Sequence, residues 1–134
     1  MYFSYDSGEK IHIPQPFQRT IIPYMTPETA DCPIDFSVHI TQWDPGNQVD
    51  SHSHADAMEV MFCISGHGTA WVDGVEYDLV PNSMIAAAAG QVHCIRNTGT
   101  QPLQCLCIFS PPTTAQSLRR RAMDTVAEAT AAEE

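Results

Sequence analysis

Positive charge is scarce in this chain. Six lysines and arginines stand against sixteen aspartates and glutamates, for a formal charge of −10. A surface of that sign repels phosphate backbones, which argues against a nucleic-acid partner. With 134 residues and no second domain, it also argues against a DNA-reading regulator. The one basic cluster, Arg119-Arg120-Arg121, lies in a segment that ends in acids and reads as a solvated helix face. Long apolar runs are missing too. No stretch approaches the roughly 18 residues of a membrane helix. The opening MYFSYDSGEK lacks the basic region and apolar run of a secretory leader. The expectation is a soluble, cytoplasmic protein with no membrane partner. Paired cysteine spacing is a third absence. The five cysteines are odd in number and show no CxxC, which excludes a disulfide framework and a cysteine-ligated zinc site. They read as small buried thiols.

What is present is β-texture. Residues 1–33 carry Pro14, Pro16, Pro23, Pro27 and Pro33, a density that suits edge strands and turns rather than a helix. From Asp35 onward, short apolar runs alternate with turn residues. They predict strands over 36–43, 59–65, 68–72, 75–79, 84–88, 93–97 and 103–110. Asp73-Gly74 between two alternating runs signals a hairpin. Strands at this spacing with no intervening helix predict an all-β sandwich or barrel. After Pro111-Pro112, Thr113 or Thr114 can cap a helix over 115–131, with Leu118, Ala122, Val126 and Ala129 on one face. Three segments follow: a proline-rich arm with edge strands (1–34), a barrel (35–112) and a helical tail (113–134).

The densest chemistry lies in PGNQVDSHSHADAMEVMFCISG, residues 45–66. His52 and His54 are two apart, so on an extended chain they point the same way. Glu59 opens the next strand after a connection able to reverse direction. Two neutral imidazoles and a carboxylate suit Mn²⁺, Fe²⁺, Ni²⁺, Co²⁺ or Zn²⁺. A further ligand candidate, His93, lies in AAAAGQVHCIRNTG.

The first block reads G-x5-H-x-H-x4-E-x6-G from Gly46 to Gly66 and resembles the first motif of the cupin superfamily without departure. The second cupin motif, G-x5-P-x-G-x2-H-x3-N, is met at Gly90, His93 and Asn97, while Asn82 replaces its first glycine and Ala88 its proline. Both replacements concern backbone geometry rather than ligands. The resemblance implies a single-domain jelly-roll β-barrel with a metal centre of His52, His54, Glu59 and His93.

Strand alternation extends the inward face. Met61 and Cys63 follow Glu59, and Ile95 and Asn97 follow His93. Gln48 is a candidate hydrogen-bond donor at the barrel mouth. On the strand before the motif, either Ser37, His39 and Thr41 or Val38, Ile40 and Gln42 face inward. His39 is therefore a catalytic acid/base candidate in one phase only, and a surface position is preferred. Tyr24 and Arg19 on the arm could close over the mouth.

Cupins of this kind include dioxygenases, decarboxylases, isomerases, lyases and ligand-binding proteins, so the fold does not choose among them. The expectation is a metal-dependent enzyme on a small oxygen-rich metabolite, leaning to an O₂-dependent oxidoreductase of dioxygenase type. The reason is that the inferred wall holds no Lys, Arg or Tyr. The alternatives are a metal-dependent lyase or isomerase, or a non-catalytic sugar- or metabolite-binding protein. A homodimer is also expected, since small cupins pair through sheet edges and both arm and helix are available to a partner.

Overall fold

A computed structural model describes residues 1–133. Nine strands precede one helix: β1 (Ile11–Ile13), β2 (Arg19–Met25), β3 (Ser37–Trp43), β4 (Met58–Ser65), β5 (Gly68–Val72), β6 (Val75–Leu79), β7 (Met84–Ala87), β8 (His93–Asn97), β9 (Leu103–Ser110) and α1 (Ala115–Glu133). They form a six-stranded sheet, β1-β2-β3-β9-β4-β7, and a three-stranded sheet, β6-β5-β8. All the strand pairings are antiparallel. The two sheets face each other as a jelly roll. Between them lies a core drawn from both, including Met61, Cys63 and Cys105 on one side and Ala70, Leu79 and Ile95 on the other.

Local chemistry fixes the turns. Asp73 (φ 48°) and Gly74 (φ 80°) both take positive φ, the requirement of the two-residue hairpin between β5 and β6. Asn82, standing where the cupin pattern has glycine, adopts φ 70°. Asparagine tolerates that left-handed conformation, so the turn survives the replacement. Gly66 closes the first motif at φ +87°, and a Cβ there would meet the Pro102 carbonyl oxygen at 2.4 Å. No other residue fits that approach.

The proline-rich segment differs from its expected irregular form. β2 is a seven-residue strand lying between β1 and β3, not at a sheet edge. Pro23 sits inside it opposite His39, and the register shifts between Pro23 and Met25. A proline deprives the ladder of one N–H, and a bulge is where a sheet tolerates that loss.

Helix α1 begins with Thr114 as its cap, the Ser117 N–H donating to Thr114 Oγ1 at 2.9 Å. Leu118, Ala122 and Val126 are buried against Ile11, Ile13, Ile21 and Phe109. The alanine-containing stripe therefore packs on the chain's own β1, β2 and β9. Among the described residues, no helix is long and apolar enough to cross a membrane.

Candidate metal centre

His52 and His93 are brought face to face by backbone pairing. The His52 N–H donates to the His93 carbonyl at 3.0 Å, and the His93 N–H to the His52 carbonyl at 2.8 Å. This bridge joins the loop of the first motif to β8 of the second. β4 alternates as its sequence implies: Met58 is exposed while Glu59, Met61 and Cys63 are buried. Glu59 therefore points into the barrel. Donor atoms of His52, His54, Glu59 and His93 all lie within 4.8 Å of one another.

The hydrogen bonds orient these rings as metal ligands require. The His52 Nδ1–H donates to the Asp50 carbonyl at 2.7 Å, and the His93 Nδ1–H to the Gln91 carbonyl at 2.9 Å. Each Nε2 is thereby left inward with its lone pair. Yet His93 Nε2 lies 3.0 Å from Glu59 Oε2. Two acceptor atoms at that distance need a proton or a cation between them. Burial lowers the proton affinity of His93, but hydrogen bonds to Glu59 and the Gln91 carbonyl outweigh it and raise its pKa. For Glu59, burial favours the neutral acid, but hydrogen bonds from His54 and His93 hold its carboxyl well below the usual range. A carboxylate and imidazole nitrogens gathered around one point fit a divalent transition metal.

His54 differs from the other two. Its Nε2 is 2.9 Å from Glu59 Oε2, while its Nδ1 lies 2.5 Å from Arg121 Nη1. A guanidinium only donates, so here His54 accepts at Nδ1 and carries its hydrogen on Nε2. To offer Nε2 to an ion, His54 must move that hydrogen to Nδ1 and release Arg121.

Beside the four residues lies a small cavity of about 40 Å³. His39, Thr41 and Trp43 reach it from β3, which settles the phase left open by the sequence. His39 is 3% exposed rather than on the surface. It stacks on Phe109 at 5.6 Å, and its Nδ1 has no hydrogen-bond partner among the described residues. Burial lowers its pKa to about 4, so the ring is neutral. Cys107, opposite His39 on β9, also lines the cavity, and burial keeps its thiol protonated.

Several expected neighbours lie elsewhere. Met61 and Ile95 line the cavity, but Cys63 does not, although it is fully buried. It sits further along β4, opposite Cys105, in the core between the sheets. Gln48 bridges to Arg96 and faces away, because alternation turns Val49 inward instead. Tyr24 borders a separate groove with Tyr2 and Glu28. Asn97, though buried, ties loops together: its Nδ2 donates to the Trp43 and Gln101 carbonyls.

The largest correction is to the wall. It was expected to lack Lys, Arg and Tyr, yet Arg19 from β2 and Arg121 from α1 both line the cavity. All three members of the Arg119-Arg120-Arg121 cluster are exposed, as a solvated face would be, but one of them also reaches the site. Arg119 pairs with Glu9, Arg120 is exposed, and Arg121 turns to His54. Helical spacing could have flagged Arg121, since it lies three residues after Leu118 and one before Ala122. Where α1 docks, however, was not legible.

The comparisons agree with this architecture. The chain is 34% identical over 87 residues to an L-ectoine synthase of Bordetella parapertussis, covering 63% of this chain and 65% of that one. It thus spans just under two thirds of the length of the curated relatives it first matches. A predicted oxalate decarboxylase of Thermotoga maritima superposes with TM-score 0.75 at 17% identity, covering 83% of this chain and 99% of that chain. An RmlC-like cupin of Shewanella frigidimarina gives 0.68 at 15% identity, covering 88% and 96%. The expected dioxygenase-type oxidoreductase is not supported, because relatives at 28–34% identity are named as ectoine synthases. Residues 39–109 match the family model of the cupin domain, and the chain belongs to the cupin family.

Proposed function

We propose that the protein is a metal-dependent cupin lyase of the ectoine-synthase kind, acting on a small oxygen-rich metabolite. The observation that carries this reading is His39: a buried, neutral imidazole with an unpartnered Nδ1, beside Glu59 at the cavity wall. Lyase chemistry needs a placed acid or base beyond the metal ligands, and geometry comes before pKa in choosing one. The names of the curated relatives point the same way.

His52, His54, Glu59 and His93 would hold the ion, of the Mn, Fe, Co, Ni or Zn class. Once bound, it supplies Lewis-acid polarisation of a substrate oxygen. The chain's own residues do the rest. His39 exchanges a proton with the substrate at its ring nitrogen. Cys107, held as the thiol, cannot compete as a base. Phe109, Met61 and Ile95 exclude water from the reacting atoms. The reading is of a cytoplasmic enzyme with a small-molecule substrate.

The test is to load the purified protein with each metal and follow ectoine by chromatography, both its formation and its consumption. Metal-dependent turnover that disappears in His39→Gln supports the reading. Full metal occupancy with no turnover in either direction would count against it.

We also propose a homodimer burying more than about 1,000 Å², the scale of a stable interface. A monomeric mass by light scattering at micromolar concentration overturns it.

A further inference from the structure

The cavity holds more hydrogen-bond donors than the chain gives partners. Arg19 is only 9% exposed, and among the described residues its one side-chain hydrogen bond is Nη1 donating to the Phe17 carbonyl at 2.7 Å. Much of the Arg121 side chain stays in solvent, while its guanidinium reaches His54 Nδ1 and lies over the Phe109 ring, 5.9 Å from its centroid. Among the described residues, neither arginine has a carboxylate within ion-pair distance; the four ion pairs involve other residues. The Trp43 indole Nε1–H, on the same cavity, is buried without an acceptor. Among the described residues, Glu59 is the one carboxylate on the cavity wall, and it is committed to the imidazoles.

A buried guanidinium such as that of Arg19 and an unpaired indole N–H are costly unless something supplies acceptors. A ligating His54 would make the imbalance larger. It needs an acceptor at Nδ1, which Arg121 cannot be, so Arg121 is then left without its present partner. We propose that Arg121, delivered by helix α1, joins Arg19 and the Trp43 indole N–H in an anion site that takes a carboxylate group of the substrate. α1 is thereby part of the active site rather than a tail. A forked guanidinium matches a carboxylate in geometry as well as charge. The cavity of about 40 Å³ has room for a few waters at most, one water needing roughly 10–15 Å³ on the same measure. A larger molecule needs the wall to yield, and Leu118 and Arg121 put α1 on that wall.

The proposal rests on reading this cavity as a lyase active site, and its test separates the two. Trp71→Phe leaves Trp43 as the single tryptophan reporter. Fluorescence titrations compare succinate with succinamide, in metal-free and metal-loaded protein. Because a carboxylate also binds a metal directly, the metal-free arm isolates the arginines. Succinate is expected to bind at least about tenfold tighter than succinamide without metal, as charged hydrogen bonds allow. Arg121→Gln and Arg19→Gln should each erase that ratio, Arg121→Lys should keep part of it, and Arg120→Gln should leave it unchanged. Circular dichroism confirms that each variant is folded. Equal binding of the two probes, or an intact ratio in folded Arg121→Gln, overturns the anion site. Turnover without anion selectivity would sink the proposal and spare the lyase reading. Selectivity without turnover does the reverse.

Discussion

His52 and His93 exchange both of their backbone hydrogen bonds, at 3.0 and 2.8 Å, across the bridge that joins the two motifs. Their rings come to 4.5 Å between centroids as a consequence of that pairing. The metal-capable site is thus held by main-chain geometry, which leaves the side chains free to ligate.

The first prediction concerns this pair. His93→Ala removes one ligand without touching the backbone bonds, so the fold should persist while metal content falls sharply. Elemental analysis of the purified variant checks it, and His52→Ala should behave alike. Wild-type metal content in His93→Ala would remove His93 from the ligand set.

His39 should matter for turnover and not for metal. His39→Gln is expected to lower kcat by about 10²–10⁴, the range of a lost general acid or base. Metal content should stay at the wild-type level. Its pH signature has a definite sign. The buried ring has a pKa near 4, below the ordinary value of 6.5. As pH falls from 6.5 towards 4, the unfolded chain binds a proton that the native ring refuses. Stability therefore falls across that window and is fully present above it. In metal-free protein, His39→Gln should flatten this part of the denaturation profile; an unchanged slope would show that His39 is not buried neutral.

Cys63 offers a check on the strand phase. It is fully buried, and burial raises its thiol pKa, so alkylation in native protein should be slow. Exposed Cys32 should label first. Peptide mass spectrometry after timed alkylation, with and without chelator, reads both sites. Rapid labelling of Cys63 in metal-loaded protein would turn β4 over and take Glu59 out of the barrel.

Leu118 joins the helix to the cavity. It is 4% exposed, packs in the cluster of Ile11, Ile13, Ile21 and Phe109, and lines the cavity wall. Leu118→Ala should cost about 2–5 kcal/mol in chemical denaturation, the usual range for a buried leucine. A loss near zero would mean that α1 does not dock as described.

Much of the scaffold was legible in the sequence because its signals are local. The Asp73-Gly74 turn, the alternation of Glu59, Met61 and Cys63, and the common direction of His52 and His54 each follow from backbone period and turn chemistry within a few residues, while His93 joins them through the resemblance to the two cupin motifs. β2 was less legible, since Pro23 argues against a strand with neighbours on both sides and only the bulge beside it reconciles the two.

Three matters were decided by tertiary structure. The inward phase of His39 depends on the register of β3 against β9, a pairing between residues 68 positions apart in the chain (39 and 107). The placing of Cys63 in the core depends on its position along β4 opposite Cys105, and that of Gln48 outside the cavity on its bridge to Arg96, which turns Val49 inward. The arginines depend on docking: Arg121 lies 67 residues from His54, and no local pattern says which barrel face α1 covers. The sequence by itself pointed to the family and to the cluster of His52, His54, Glu59 and His93, because the motif spacing it shares with cupins marks them. What surrounds those residues, and hence the chemistry they serve, came from contacts between elements distant in the chain, which only packing brings together.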